Sequence, residues 1–169
     1  GGSAYGTVNG SSSGTSISNY DTVVTVNEGT IISSVFGGGK GSSTFVPAVL
    51  GNVTVNINGG NIGNVFGGND AAGAPNGKDI VYLNGGIIGN AFGGGNNTGQ
   101  EQTNIYLQGA EVTNLFGGSN ASGTVVEANV TVTSGNVGNI YGGNNIGGNT
   151  ETTNVDVIAC NITGDIYGG

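Results

Sequence analysis

A chain of 169 residues with 38 Gly, 2 Pro, one Cys and no Trp, Met or His has the length of one domain but not the composition of an average one. Ten acids against two lysines, Lys40 and Lys78, leave a net charge of −8 and no basic face to neutralise phosphates, so nucleic acid is excluded as an expected partner. Gly and Asn disfavour helix and favour turns, the apolar clusters are rich in Val and Ile, and their regular spacing argues against disorder; the chain is expected to be all-β.

In chain order, residues 1–22 read as a partial first coil and a Ser/Gly-rich loop, with Ala4-Tyr5-Gly6 as a fragment of a motif that recurs later. Residues 23–169 read as six coils in a single β-solenoid domain. Each coil opens on an alternating strand with one buried face: Val24/Val26, Val53/Val55/Ile57, Val81/Leu83, Ile105/Leu107, Val130/Val132 and Val155/Val157. A Gly-containing turn and a second strand follow, plainest as Ile62-Gly63-Asn64-Val65-Phe66, then Ile88-Gly89-Asn90-Ala91-Phe92 and Val137-Gly138-Asn139-Ile140-Tyr141. Every coil closes on an aromatic and two glycines, at Phe36, Phe66, Phe92, Phe116, Tyr141 and Tyr167. Counting from Tyr5, the aromatics are 31, 30, 26, 24, 25 and 26 residues apart, so one coil is about 25 residues and the first two intervals carry insertions. One insertion, Phe45-Val46-Pro47-Ala48-Val49-Leu50, is apolar, which makes Phe45, Val46, Val49 and Leu50 candidates for a lateral contact.

A strand this short cannot bury its face alone, whereas like coils stacked about 4.8 Å apart set like residue on like and build a continuous core. The aromatics then form one ladder, and Asn64, Asn90, Asn114 and Asn139 form an amide ladder with Ser34 and Asp165 at its ends. The glycine pair after each aromatic is expected to supply the positive φ of the next corner. An antiparallel sandwich would leave the sixfold aromatic-Gly-Gly unexplained, and a propeller needs longer units.

Chemistry finds little to stand on. There is no His and no Arg, and the acids, Asp79 among them, fall at differing phases, as expected of solvated charges on turns and outer faces. No catalytic residue, cofactor or metal is therefore expected. Gly67-Gly68-Asn69-Asp70 resembles a calcium-binding nonapeptide only faintly, since its aspartate is not repeated. The outward column Thr25, Asn56, Tyr82, Tyr106, Thr131, Asp156 is no threonine array for ice, although Tyr82 and Tyr106 are placed to stack. Cys160 has no partner for an intrachain disulfide and aligns with a turn glycine. Of the sequons, Asn9, Asn96 and Asn120 read as the loop candidates for a glycan. No run is long and apolar enough for a membrane span, and the start at Gly1-Gly2 suggests a processed or partial chain.

From about Val23 to Gly169 the run of Val-rich strand, Gly turn and Ile-Gly-Asn-Val-Phe-Gly-Gly resembles the repeat arrays of microbial cell-surface and secreted adhesin-like proteins. That resemblance implies a right-handed parallel β-helix at the cell surface or outside the cell, in a stalk, an adhesin or a fibre. Six to seven coils give only about 30 Å of rod, so length must come from more coils. The expected role is a structural one, by head-to-tail stacking of the chain on itself through Ala4, Tyr5, Gly6 at one end and Ile166, Tyr167, Gly168, Gly169 at the other. The alternatives are a portion of a longer adhesin that binds a host surface or carbohydrate and, more remotely, a polysaccharide-active enzyme.

Overall fold

A computed structural model describes Ser3, Ala4, Gly6 and residues 21–169; Tyr5, Asn9 and the Ser/Gly-rich loop lie outside the described residues. The described chain is all-β, a parallel β-solenoid of about 5 turns. Among the described residues no helix is long and apolar enough to cross a membrane.

The elements alternate between two sides of the stack. One side carries β1 (Thr22–Val26), β3 (Val53–Ile57), β5 (Asp79–Leu83), the first part of β7 (Gln100–Phe116), the first part of β8 (Thr124–Tyr141) and β9 (Asn149–Val157). The other carries β2 (Thr30–Phe36), β4 (Asn61–Phe66), β6 (Ile87–Phe92), the ends of β7 and β8, and the short β10 (Asn161–Ile162) and β11 (Ile166–Tyr167). All pairings between named strands are parallel, and like stands on like: Val24 on Val55 on Val81 on Ile105 on Val130 on Val155. Among the described residues a third side has no named strand of its own, and its turns still stack through main-chain bonds, as in Asp70 N–H to Gly39 O at 3.0 Å and Asn96 N–H to Asn69 O at 2.9 Å.

The periodicity explains the burial. In β3 and β5 every second residue is buried, which puts Val53, Val55, Ile57, Val81 and Leu83 inside. The second strand does not alternate strictly, because Ile62 and Val65 both face the core, with Gly63 and Asn64 half-exposed between them. Beside this aliphatic core the aromatics form a separate cluster around Phe66, Phe92 and Phe116. The first coil holds one extra residue in its second strand, where the register shifts between Ile31 and Ser34 and leaves Ile32 92% exposed.

Three sequence expectations change. The positive φ values lie elsewhere than in the glycine pairs: Gly29, Gly60, Gly86 and Gly135 hold them at the corner between the two strands, and Gly41, Gly73, Gly123 and Gly148 on the third side. The glycine pair is needed for clearance instead. A β-carbon on Gly93 would sit 2.3 Å from Gly117 O and 3.1 Å from the Thr103 β-carbon, and one on Gly37 only 2.3 Å from Gly67 O. Second, Ala4 is not part of an aromatic rung: Lys40 N–H donates to Ser3 O at 2.9 Å and Gly41 N–H to Ala4 O at 2.8 Å, so Ser3–Ala4 stack on the third side. Third, Val49 is 1% exposed and belongs to the core, bridged to Pro75, so only Phe45 and Val46 of the apolar insertion stand well exposed, with Leu50 half-buried.

Clearance and φ make separable demands. Gly29→Ala, at φ +108° with open space around it, should cost about 1 kcal/mol, while Gly93→Ala should cost more than about 3 kcal/mol because backbone must move. Urea denaturation of the two variants beside the parent tests this ordering, and equal losses would refute the clearance argument.

Candidate functional site

The residues singled out in the sequence come together as columns along the stack. Successive rings of Phe36, Phe66, Phe92, Phe116, Tyr141 and Tyr167 have centroids 4.7, 4.7, 4.8, 4.7 and 5.1 Å apart and lie within 9° of parallel. That spacing follows from the strand separation and lies within the range of stacked aromatic pairs. Burial of the three central phenylalanines is what makes the arrangement favourable.

The amide column is continuous. Asn90 Nδ2 donates to Asn64 Oδ1, Asn114 Nδ2 to Asn90 Oδ1 and Asn139 Nδ2 to Asn114 Oδ1, each at 3.0 Å. Ser34 accepts from Asn64 Nδ2 at 3.4 Å, and the Asp165 main-chain N–H donates to Asn139 Oδ1 at 3.0 Å, so the two ends lie where the sequence places them. Further columns are found that the sequence reading missed. Asn27, Asn58 and Asn84 bond in series at the first corner, and Asp70, Asn96, Asn120 and Asn145 at the third. Their signal was present as Asn repeated at the coil period.

The third-corner column places residues that the sequence singled out. Asn96 and Asn120 each donate one amide N–H, to Asp70 at 2.9 Å and to Asn96 at 2.8 Å, so a glycan on either would have to leave that N–H in the column. Asp70 is the acceptor at the foot of that column, which accounts for it without calcium. Among the described residues no three Cys, Asp or Glu side chains converge as a metal site would require.

One acid is not a solvated charge. Asp79 is 1% exposed, its Oδ1 accepts from Gln100 Nε2 at 2.9 Å, and its Oδ2 is buried with no hydrogen-bond partner. Burial pushes its carboxyl up to about 8, against the lowering effect of the Gln100 bond. Its position was readable, since it precedes Val81 and Leu83 by the strand period, but acids are seldom placed inside without a partner.

The outer faces are shallow. A groove of about 380 Å³ is lined by Glu111, Thr113, Asn136 and Asn161, and another of about 580 Å³ by Pro75, Asn76, Glu101 and Thr124, each with a single carboxylate. Tyr82 and Tyr106 stack at 5.0 Å on the outward column, as their register requires. Cys160 is half-buried at the last corner, above Gly135, and burial raises its thiol.

The ends of the stack differ from its middle. Among the described residues β1 pairs only with β3, β2 only with β4, and β9, β10 and β11 only with β8. Val24, Val26, Ile31 and Phe36 at one end, and Val155, Val157 and Ile162 at the other, are correspondingly only partly buried. Ile166, Tyr167, Gly168 and Gly169 are exposed, as are Ala4 and Gly6.

Each amide in the central column uses one donor and one acceptor, so removing either should be felt on both sides. Asn90→Ala should lower stability by about 2 kcal/mol, and Asn90→Asp by at least as much at pH 7, where the carboxylate would face the Asn64 oxygen. Thermal melts at pH 7 and pH 4 check this, with the Asp variant recovering part of its loss on acidification. Comparison of the chain with protein-family models, with curated proteins and with solved structures finds no match, so the functional reading rests on these columns and their two ends.

Proposed function

We propose that the chain is a non-catalytic structural protein, the subunit of an extracellular filament or fibre that grows by head-to-tail stacking of coils. The observation that carries this reading is the match between the two ends. The half-buried residues of the first rung and of the last belong to the same columns. A second copy laid on the stack in register sets Val155 on Val24, Val157 on Val26, Ile162 on Ile31 and Tyr167 on Phe36. These four inward columns each continue with an apolar or aromatic residue, and the open strand edges find partners.

Two further features support it. Large exposed apolar residues concentrate in the terminal coils and the first insertion: Val23, Ile32, Phe45 and Val46 toward one end, Ile146, Ile158, Ile166 and Tyr167 toward the other, with Ile87 between. The first end is also stepped, since Ser3–Ala4 add a third-side rung beneath the first coil. Such a contact is heterologous and does not close on itself, which is the geometry of a filament.

The resemblance to microbial adhesin-like repeats points to the cell surface or the medium around it. It also sustains the second reading, a portion of a longer adhesin whose next coil is covalent and whose sides bind a host surface or carbohydrate. The exposed Phe45 and Val46 and the stacked Tyr82–Tyr106 favour that reading.

Negative-stain microscopy of concentrated protein should show unbranched rods many coils long, and a field of dispersed monomers would sink the filament. The register has its own test. Ser34→Cys combined with Asp165→Cys, in a Cys160→Ser background, places thiols one strand spacing apart across the junction, about 4.8 Å between α-carbons and within disulfide reach. Oxidation should then give a ladder of oligomers on a gel that collapses on reduction, whereas either cysteine alone should stop at the dimer.

A further inference from the structure

The column to which Asp79 belongs runs Thr22, Val53, Asp79, Thr103, Ala128, Thr153 along the inner face of the first strands. Three of its members do the same work. Thr22 donates its hydroxyl to Gly37 O at 3.4 Å, Thr103 to Gly117 O at 2.7 Å, and Thr153 to Gly168 O. In each case the acceptor is the first glycine after that coil's aromatic. The two remaining members, Val53 and Ala128, are apolar. Asp79 alone is acidic, and it is buried with one oxygen bonded to Gln100 and the other unpartnered.

Among the described residues no positive charge stands by to compensate it. Val53 and Thr103 flank it on the strands, Gln100 bonds to it from the return of the chain, and Gly67, Gly68 and the Gly93 turn wrap it from the other side. The titratable groups nearest in sequence or on those turns face away: Lys78 and Glu101 are exposed, and Asp70 is bonded to Asn96 at the surface. An ionised carboxylate in this setting would leave a full charge buried beside main-chain oxygens.

We propose that Asp79 is a proton-dependent clasp: a neutral carboxylic acid whose Oδ2–H takes the place of the threonine hydroxyls and holds the third coil's glycine turn, through the carbonyl of Gly93, only while it keeps its proton. The rod is thus built with a point of alkaline weakness in its middle, away from both ends. Acid surroundings tighten the fold and alkaline ones loosen it, the reverse of a protein held by carboxylate ion pairs.

The sign follows from linkage. The unfolded chain releases this proton near 3.8 and the folded chain near 8, so between those values the folded state holds one more proton. Stability is full below the lower value, falls as pH rises, by about tenfold in the folding constant per pH unit, and levels once the folded state also ionises. Urea midpoints measured from pH 5 to pH 9.5 in a Cys160→Ser background should fall steadily and flatten above pH 8. Asp79→Asn and Asp79→Thr, the latter copying its own column, should both flatten the profile and raise the midpoint at pH 8. Carbon NMR of the parent gives a reading independent of any variant: the Asp79 carboxyl should titrate alone near pH 8, after the other acids. Variant profiles parallel to that of the parent, or an Asp79 carboxyl already ionised at pH 6, would overturn the proposal.

Discussion

At each coil the main chain crosses the backs of the first-strand side chains with no room for a β-carbon. The oxygen of the first glycine in one coil occupies the place where the β-carbon of the corresponding glycine in the coil below would lie, at 2.3 Å for Gly37 and Gly93 and 2.1 Å for Gly67. The aromatic-Gly-Gly motif is thus a steric requirement rather than a flexible hinge, and other features follow from it. The carbonyl squeezed into that space faces the first strand, and three threonines answer it with a hydroxyl. Where an acid replaces them, at Asp79, the same carbonyl asks for a proton.

Close approach also sets the coil spacing that every column inherits. Rings 4.7 to 5.1 Å apart and amides bonded at 2.8 to 3.0 Å are two expressions of one strand separation. The aromatic column contributes through burial and contact, the amide columns through satisfied polar groups at half-buried positions. Neither needs a varied core to specify register, because a one-residue slip would set Asn90 against a core residue and break every column at once.

Much of this was legible in the sequence because a solenoid converts sequence period directly into spatial neighbourhood. The alternation in Val53/Val55/Ile57, the recurrence of Phe-Gly-Gly and the alignment of Ser34, Asn64 and Asp165 each translate into an observed pairing. What was not legible depends on which way a turn carries the chain. The glycine pairs and the corner glycines are the same letter, and only the backbone shows that Gly60 needs positive φ whereas Gly67 needs space. Val49 sits in a stretch with no counterpart in other coils, so nothing in the repeat says that it turns inward. Asp79 falls on an inward position by simple counting, and charge argued against its pattern; the pattern prevailed because a proton can neutralise the group.

The amide columns also give the stack a direction. In every one the N–H group of the later coil donates to the oxygen of the earlier coil, from Asn58 to Asn27 at the first corner to Asn145 to Asn120 at the third. Two termini remove the ambiguity between amide oxygen and nitrogen. Asp70 at the foot of the third-corner column accepts from Asn96, and the main-chain N–H of Asp165 at the head of the central column can only donate. At the central column the first end therefore offers a donor and the last end acceptors: Ser34 keeps a hydroxyl hydrogen beyond its bond from Asn64, and Asp165 brings a carboxylate. Two first ends or two last ends placed together would oppose like with like along that column, while a first end on a last end continues it. Polarity written into side-chain amides thus reinforces what the parallel strands already impose, and a contact between copies that respects it has one orientation open to it.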